Sequence, residues 1–380
     1  MTGMNVRTPR ATVFFALGML IAGGVGIWSA GCGGNADANK VKVAYLGLTC
    51  EAPIFVAKEK GFFQEEGLDA ELVKTDWNGL RQGLNTGQFD ANHTLIMYLL
   101  IPIEKGNLDA KITGGIHTGC LRVQVSVNSD IKTVRDLKGK KIGIPTHEGS
   151  PPHLFASRVL SAAGINPSKE SKEVTWLPFR PEVLAIALKD GRIDAVATSD
   201  PIGTILVGEN LVRTIADQAI DEPYSDEYCC AAVVSGKLAK ERPAVAAKVT
   251  RALLKAAKWV EANPTEAAQL SVEKKYISAS VEINSQALAH LRYIPGVARC
   301  RRSITSAAKE MKAAGLLPDT TDPEKLTERA WLDLEGVTDV WVNDVKVTKS
   351  KRPRLLPPAE FAALFDSGKS CCGGCCCLEE

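Results

Sequence analysis

The sequence predicts an α/β protein in which parallel strands alternate with helices, between an exported N-terminus and a cysteine-rich tail. Three observations support this prediction. Short apolar runs alternate with helical runs along the body, 45% of the 380 residues are hydrophobic, and both ends differ in composition from the body. The formal net charge of +2 lacks the basic excess typical of nucleic-acid-binding domains, so no nucleic-acid partner is expected.

The N-terminal residues have the order of a secretory signal. Arg7 and Arg10 precede an apolar run over residues 11–28, and the small residues 29–31 precede Cys32. Small residues directly before a cysteine resemble the lipobox of bacterial lipoproteins, in which this cysteine is acylated. The resemblance implies an extracytoplasmic protein that a lipid anchors to a membrane, in the periplasm or on the outer face of the cell membrane.

This N-terminal pattern departs from the lipobox at one position. Ser29 stands where lipoproteins usually have Leu. We expect a signal peptide over 1–31, a lipidated Cys32 and a lipoprotein linker over 32–40. The alternative is an uncleaved anchor, because 18 apolar residues are just long enough to cross a bilayer.

The body of the chain alternates between strand and helix patterns. The predicted strands are Val41–Leu46, Leu68–Val73, Phe89–Ala91, Lys141–Ile144, Val174–Leu177 and Ile193–Val196. The predicted helices are Ile54–Gly61, Gly79–Thr86, Leu154–Ala163 and Glu182–Lys189. Residues 244–314 are rich in Ala, Lys, Glu and Leu, which predicts a mostly helical C-terminal part.

Ligands of such sheets bind beyond the carboxyl ends of the strands, where loops lead into helices. This rule selects the loops at 49–53, 76–79, 92–95, 116–121, 145–153, 178–181, 199–201 and 226–230.

Five segments carry a resemblance to a known family. They are VAKEKGFFQEEGLDAELV (56–73), GQFDANHT (87–94), DLKGKKIGIPTHEGSPPH (136–153), LKDGRIDAVATSDP (188–201) and WVEANPTEAA (259–268). Spread over residues 41–340 and in the same order, they resemble the nitrate/sulfonate/taurine-type substrate-binding proteins of ABC importers. The thiamine-pyrimidine synthases share that fold.

The resemblance implies a type II periplasmic-binding-protein clamshell with two hinge crossovers. Lobe 1 would comprise 41–124 plus 226–345, lobe 2 would comprise 125–225, and closure would trap a small ligand between them. The implied function is delivery of that ligand to the permease and ATPase of an importer. No enzyme is expected, because Ser150 lacks the second glycine of G-x-S-x-G and no phosphate- or dinucleotide-binding motif is present.

Soft metal ligands are concentrated in the selected loops. Four of the five histidines and four of the five body cysteines fall there, whereas His290 and Cys300 do not. Imidazole and thiolate together suit zinc, copper or iron rather than magnesium or calcium. For single residues the alternatives are a histidine bonded to the backbone and a cysteine that packs as a small hydrophobe.

The acidic residues of the loops, Glu51, Asp76, Glu148 and Asp200, disfavour a simple anion more than a cationic or metal-bearing ligand. Trp77 is a candidate wall that stacks on the ligand, with a core tryptophan as the alternative. Asp200 either bonds the ligand or caps the next helix. The predicted substrate-binding residues are Cys50, Glu51, Trp77, Asn78, His93, His117, Cys120, His147, Ser150, Asp200, Cys229 and Cys230.

The tail over 346–380 joins a basic linker to five closely spaced cysteines. Thiols at this density suit a soft metal or thiol exchange, and the alternatives are disulfides or a tail without a ligand. The predicted tail metal ligands are Cys371, Cys372, Cys375, Cys376 and Cys377. Two other functions stay open for the whole chain: a metal-uptake protein or metal chaperone on the same fold, and an iron-dependent enzyme like the pyrimidine synthases.

Overall fold

A computed structural model describes residues 38–349, 356 and 360–363 of the chain. The predicted signal peptide, Cys32 and the five tail cysteines lie outside the described residues and stay predictions. No helix in the described ranges combines the length and hydrophobicity that crossing a membrane requires.

The strands alternate with helices along the chain. They are β1 (Lys40–Tyr45), β2 (Asp69–Lys74), β3 (Ala91–Leu95), β4 (Ala110–Thr118), β5 (Leu121–Ser126), β6 (Lys141–Pro145), β7 (Thr175–Phe179), β8 (Ala195–Ser199), β9 (Val212–Asp217) and β10 (Tyr228–Ser235).

The main helices are α1 (Ala52–Glu59), α2 (Phe62–Glu65), α3 (Trp77–Thr86), α4 (Ile96–Glu104), α5 (Pro151–Ala162), α6 (Leu184–Lys189), α7 (Ile202–Gly208), α8 (Gly236–Glu241), α9 (Pro243–Ala262), α10 (Pro264–Glu273), α11 (Val281–His290), α12 (Ala298–Ala313), α13 (Pro323–Ala330) and α14 (Asp339–Asp344). Proline opens α5, α9, α10 and α13, as expected at a first turn whose N–H groups are unpaired.

The strands form two five-stranded sheets of equivalent topology. The first sheet has the order β2-β1-β3-β10-β4, and the second has the order β7-β6-β8-β5-β9. The first three strands of each sheet are parallel, but β10 and β5 run antiparallel to both of their neighbours. The α/β fold is therefore confirmed, and the predicted parallel sheets are mixed, because each contains one antiparallel strand.

The chain passes between the two sheets twice. Residues 119–120 connect β4 of the first sheet to β5 of the second, and residues 218–227 connect β9 back to β10. Consequently β5 and β10 each begin at a crossover, next to the carboxyl ends of the strands beside them. The predicted lobe limits, 41–124 plus 226–345 and 125–225, stay predictions; β5 itself belongs to the second sheet from Leu121 onward.

Helices bury the faces of both sheets. The 20-residue helix α9 turns a stripe of Ala, Val and Leu with Trp259 into the core, where it packs against α1. On the second sheet, α5 covers β5 and β8 and also packs against α12 of the C-terminal helical part. Arg158 of α5 lies 2.7 Å from Glu227 and 2.8 Å from Glu310, so two ion pairs connect α5 to the residue before β10 and to α12.

Three of the loops selected from the sequence are largely strand. His93 lies inside β3, His117 inside β4, and Cys229 and Cys230 at the start of β10. The predicted strand Phe89–Ala91 ended before the polar residues of β3, and no strand was predicted at β4 or β10.

Candidate functional site

The turn after β1 is held in place by the buried carboxylate of Glu51. It accepts hydrogen bonds from the backbone N–H groups of Leu46, Gly47 and Leu48, at 2.8–3.0 Å. Burial raises the pKa of Glu51 to about 7 although these bonds oppose the rise. Glu51 therefore shapes the turn, and the turn fixes the position of the neighbouring Cys50, whose carbonyl accepts a bond from the Tyr293 hydroxyl at 3.1 Å.

The first crossover places His117 and Cys120 close together. Gly119 has a φ of +73°, and a Cβ atom there would lie 2.5 Å from the Cβ of Ala219, so only glycine fits. Cys120 itself has a φ of +146°, which is uncommon for a residue with a side chain. The Nδ1 atom of His117 lies 3.4 Å from the Thr118 carbonyl, so the Nδ1–H tautomer leaves Nε2 without a proton.

The start of β10 departs from regular strand geometry. Its register with β4 shifts on both sides of Cys230. Successive side chains of a regular strand point to opposite faces, but a bulge redirects them. Accordingly, the Sγ atoms of Cys229 and Cys230 are only 3.9 Å apart.

These three segments bring five soft ligands into one buried group, the thiol–imidazole cluster. The ligand atoms of Cys50, His117 and Cys230 all lie within 4.8 Å of one another. Side-chain hydrogen bonds connect Cys120 to Cys50 and Cys229. The members of the cluster, each at most 2% exposed and none of them in a disulfide, are Cys50, His117, Cys120, Cys229 and Cys230.

The electrostatics of the cluster lower the pKa of one thiol and that of the imidazole. Hydrogen bonds from Cys229 and Cys50 hold the pKa of the Cys120 thiol well below its usual range. Donating to Cys120 raises the pKa of Cys50, and burial raises that of Cys229 and that of Cys230. Burial also lowers the pKa of His117, so its ring is neutral near pH 7.

Several buried polar atoms in and around the two sheets have no hydrogen-bond partner within the described residues. Both ring nitrogens of His93, Nε2 of His117 and the Ser150 hydroxyl belong to this set. The His93 ring centre lies 5.1 Å from that of His117. Buried polar groups without partners are rare, and they are expected where a protein holds a ligand.

The second sheet carries an ionic group at the equivalent place, the Arg122 network. Its members are Arg122, Asp200, Thr204, Asp217 and His290. Arg122 lies 3.1 Å from Asp200 and 3.4 Å from Asp217, and His290 lies 2.9 Å from Asp217. Burial alone would raise the pKa of Asp217, but His290 and Arg122 lower it below its usual value. A cavity of about 460 Å³ adjoins the network.

Asp200 makes the contacts of the capping alternative together with an ion pair to Arg122, and its role toward a ligand stays a prediction. Its Oδ1 atom accepts bonds from the backbone N–H and the hydroxyl of Thr204, at 3.1 and 2.7 Å, in the first turn of α7. The other acidic residues of the selected loops also have local partners. Asp76 caps α3 through the Gly79 N–H at 2.7 Å, and the exposed Glu148 lies 3.8 Å from Lys169.

The remaining predicted residues stand apart from the cluster or at its edge. Trp77 is half-buried and its ring packs against Tyr98, with ring centres 4.7 Å apart. Asn78 and His147 are exposed, and His147 donates to the Glu148 carbonyl at 2.7 Å. Ser150 is buried directly before α5. None of these positions decides whether the residue touches a ligand, and their roles stay predictions.

Of the Arg122 network, sequence reasoning selected only Asp200 as a site residue, and it did not select Tyr293. Arg122 and Gln124 occupy alternate positions of β5, and two buried polar residues in an otherwise apolar strand were a readable signal. His290 and Asp217 gave no such signal, because they are 73 residues apart in the chain.

Comparison with known proteins matches residues 34–274 to the NMT1-like family. The nitrate/nitrite binding protein NrtA of Nostoc sp. is 25% identical over 286 residues, which are 68% of this chain and 63% of that protein. A putative aliphatic sulfonates-binding protein of Bacillus subtilis is 25% identical over 279 residues, 70% of this chain and 81% of that protein. The chain thus spans less than two thirds of the length of the Nostoc relative.

Solved structures share the fold. The periplasmic aliphatic sulphonate binding protein SsuA of Escherichia coli superimposes with a TM-score of 0.63 at 18% identity, over 83% of this chain and 98% of that one. The desulfurization enzyme DSZB also matches, with a TM-score of 0.57 at 15% identity over 80% of this chain and 98% of that one. The fold is therefore compatible with both solute binding and catalysis.

Proposed function

The chain belongs to the NMT1-like family, and from this membership we propose that it is the extracytoplasmic solute-binding component of an ABC importer. It encloses a small ligand between two lobes, one around each sheet, and delivers it to the permease and ATPase subunits without transforming it. The proposed export by the signal peptide and the lipid anchor at Cys32 keep it at the membrane surface where the permease lies.

One observation carries this proposal. Buried polar groups lie where the chain crosses between the sheets, with the thiol–imidazole cluster at the start of β10 and the Arg122 network at the start of β5. Two halves joined by two connections are suited to hinge closure around a ligand. The relatives named for binding nitrate or sulfonates support the same function.

The proposal is tested by solution X-ray scattering of the full chain with nitrate, an alkanesulfonate, Zn²⁺ or Cu(I) as probes. We expect the radius of gyration to fall with at least one probe, whose mass stays unchanged after incubation. A matched variant, Glu310→Ala, removes one of the carboxylates that hold Arg158. It should start more open and contract further. A radius that responds to none of the probes, or a probe that is chemically converted, contradicts the proposal.

A further inference from the structure

We propose that the thiol–imidazole cluster binds a thiophilic closed-shell metal cation, Cu(I) or Zn²⁺, as the cargo of the protein. The part of this inference that concerns cargo rests on the proposed importer function, whereas metal binding by the cluster stands on its own geometry. Thiolate and neutral imidazole are the ligands that these two cations prefer.

The spacing of the ligand atoms fits such a cation. Metal–sulfur bonds of about 2.3 Å at tetrahedral angles put neighbouring ligand atoms roughly 3.8 Å apart. The Cys229 and Cys230 sulfurs are 3.9 Å apart, and the ligand atoms of Cys50, His117 and Cys230 share a sphere with separations below 4.8 Å. Small side-chain movements are therefore sufficient to complete a three- or four-coordinate site.

His117 has the orientation of a metal ligand. A ligating histidine usually gives its second ring N–H to a backbone carbonyl, which fixes the tautomer and aims the other nitrogen at the metal. In this chain Nδ1 faces the Thr118 carbonyl, and Nε2 is buried with no partner among the described residues.

The local backbone brings the thiols together at a cost. The register shifts of β10 bring Cys229 and Cys230 to the same side, and Cys120 occupies a positive φ after a glycine that no other residue can replace. Cysteines that only fill a core do not require such distortions, and bulges are frequent beside functional sites. The geometry therefore favours a ligand-binding role over packing.

The surroundings provide a second, independent indication. His93, at least nine-tenths buried, has two ring nitrogens without partners in the described part of the chain and lies directly beside His117. The Tyr293 ring, centred 5.0 Å from that of His117, closes another side. His93 is thus placed to serve as an alternative or additional imidazole ligand.

The experiment uses a full chain from which every thiol outside the described residues is removed. Its background substitutions are Cys32→Ser, Cys371→Ser, Cys372→Ser, Cys375→Ser, Cys376→Ser and Cys377→Ser. In this background Cys50→Ala and Cys230→Ala test the cluster, and Cys300→Ala is the matched control, because Cys300 is equally buried but lies in α12, outside the cluster. Circular dichroism verifies the fold of each variant.

Anaerobic titration with Cu(I) and Zn²⁺ against a competing chelator measures affinity, and Co²⁺ provides a spectroscopic substitute for zinc. We expect one metal per chain, a thiolate-to-cobalt charge-transfer band, and a loss of affinity of at least about 100-fold in Cys50→Ala and Cys230→Ala but not in Cys300→Ala. Should a variant fail to fold, the cobalt spectrum of the background chain still decides whether thiolates bind metal.

Three outcomes overturn the inference: no metal bound by the folded background chain, unchanged affinity in both cluster variants, or thiols consumed by disulfides after anaerobic purification. The two proposals fail separately. Contraction with nitrate or a sulfonate but no bound metal removes the metal site and leaves the importer function. Tight metal binding, together with a radius of gyration that changes with none of the four probes, leaves the metal site and removes the importer function.

Discussion

In each sheet the antiparallel strand begins where the chain arrives from the other sheet, beside the carboxyl end of a neighbouring strand. In the first sheet, β10 opens with Cys229 and Cys230, and Cys230 is paired with His117 of β4. In the second sheet, β5 opens with Leu121 and Arg122, and Arg122 is paired with Asp217 of β9. The backbone arrangement is the same, but the side chains differ in chemistry.

The two places also differ in how their polar groups are satisfied. Every charged group of the Arg122 network has a partner within 3.4 Å, so burial is compensated inside the protein. The thiol–imidazole cluster instead keeps an imidazole nitrogen without a partner in the described residues, and several of its thiols interact with one another. We infer from this comparison that the Arg122 network supports the fold and that the thiol–imidazole cluster binds a ligand.

The largest expected effect follows from disrupting the Arg122 network. Arg122→Met keeps much of the side-chain volume but leaves Asp200 buried without its cation and Asp217 with His290 alone, which should cost about 3–5 kcal/mol of unfolding free energy. Urea denaturation measures the loss. The exposed Arg135→Met is the control and should change stability by less than about 0.5 kcal/mol. Equal effects of the two substitutions contradict a structural role for the network.

The unfolding free energy should also depend on pH through His153 of α5, with an effect of similar size. His153 accepts a bond from the Gly149 N–H at 3.0 Å and packs on Trp176. Burial, with a smaller contribution from His147, lowers its pKa from 6.5 to about 4. The unfolded chain therefore takes up the proton first as the pH falls.

The sign of this effect is fixed by that difference in pKa. Stability contributed by neutral His153 is complete above pH 6.5 and is lost as the pH falls toward 4, by up to about 3 kcal/mol. The variant His153→Asn removes the titrating group while keeping an acceptor. Urea midpoints measured between pH 4 and 7 should fall less steeply for it than for the parent chain. Parallel slopes contradict the assignment.

Metal addition should raise the unfolding free energy through the thiol–imidazole cluster and not through the Arg122 network. A cation at 100 times its Kd that binds only the folded state raises the unfolding free energy by about 2.7 kcal/mol. Thermal unfolding with Zn²⁺ or Cu(I) should show this rise in the chain without tail thiols and lose it in the double variant Cys50→Ala, Cys230→Ala. Arg122→Met should keep the increment although its baseline is lower. A rise that survives the double variant contradicts binding at the cluster.

Much of this architecture could be predicted from the sequence. The alternation of apolar runs and glycine-closed helices predicted α/β structure, and the rule that ligands bind beyond strand ends selected the segments that contain Cys50, His117 and Cys230. The segments of Cys50 and His117 converge because β1 and β4 end at the same edge of the sheet, and Cys230 joins them because the antiparallel β10 begins at that edge.

The finer geometry could not be predicted because it depends on pairing between distant residues. The displacement of Cys229 and Cys230 onto one side arises from the register with β4, more than 100 residues earlier in the chain. Glu51 was expected to face a ligand, yet its carboxylate is occupied by N–H groups of its own turn. The hydrogen bonds between this carboxylate and its own turn can be seen only in the folded structure.

The smallest expected effect concerns two serines that precede helices. The Ser235 hydroxyl accepts a bond from the Leu238 N–H at 3.1 Å, whereas the buried Ser150 hydroxyl has no partner among the described residues. The first two residues of α5 are prolines and offer no N–H. Ser235→Ala should therefore cost about 1 kcal/mol and Ser150→Ala almost nothing, as measured by urea denaturation. Similar losses at both positions would mean that Ser150 stabilises the fold. A loss only at Ser235 would leave the Ser150 hydroxyl available to a ligand between the sheets.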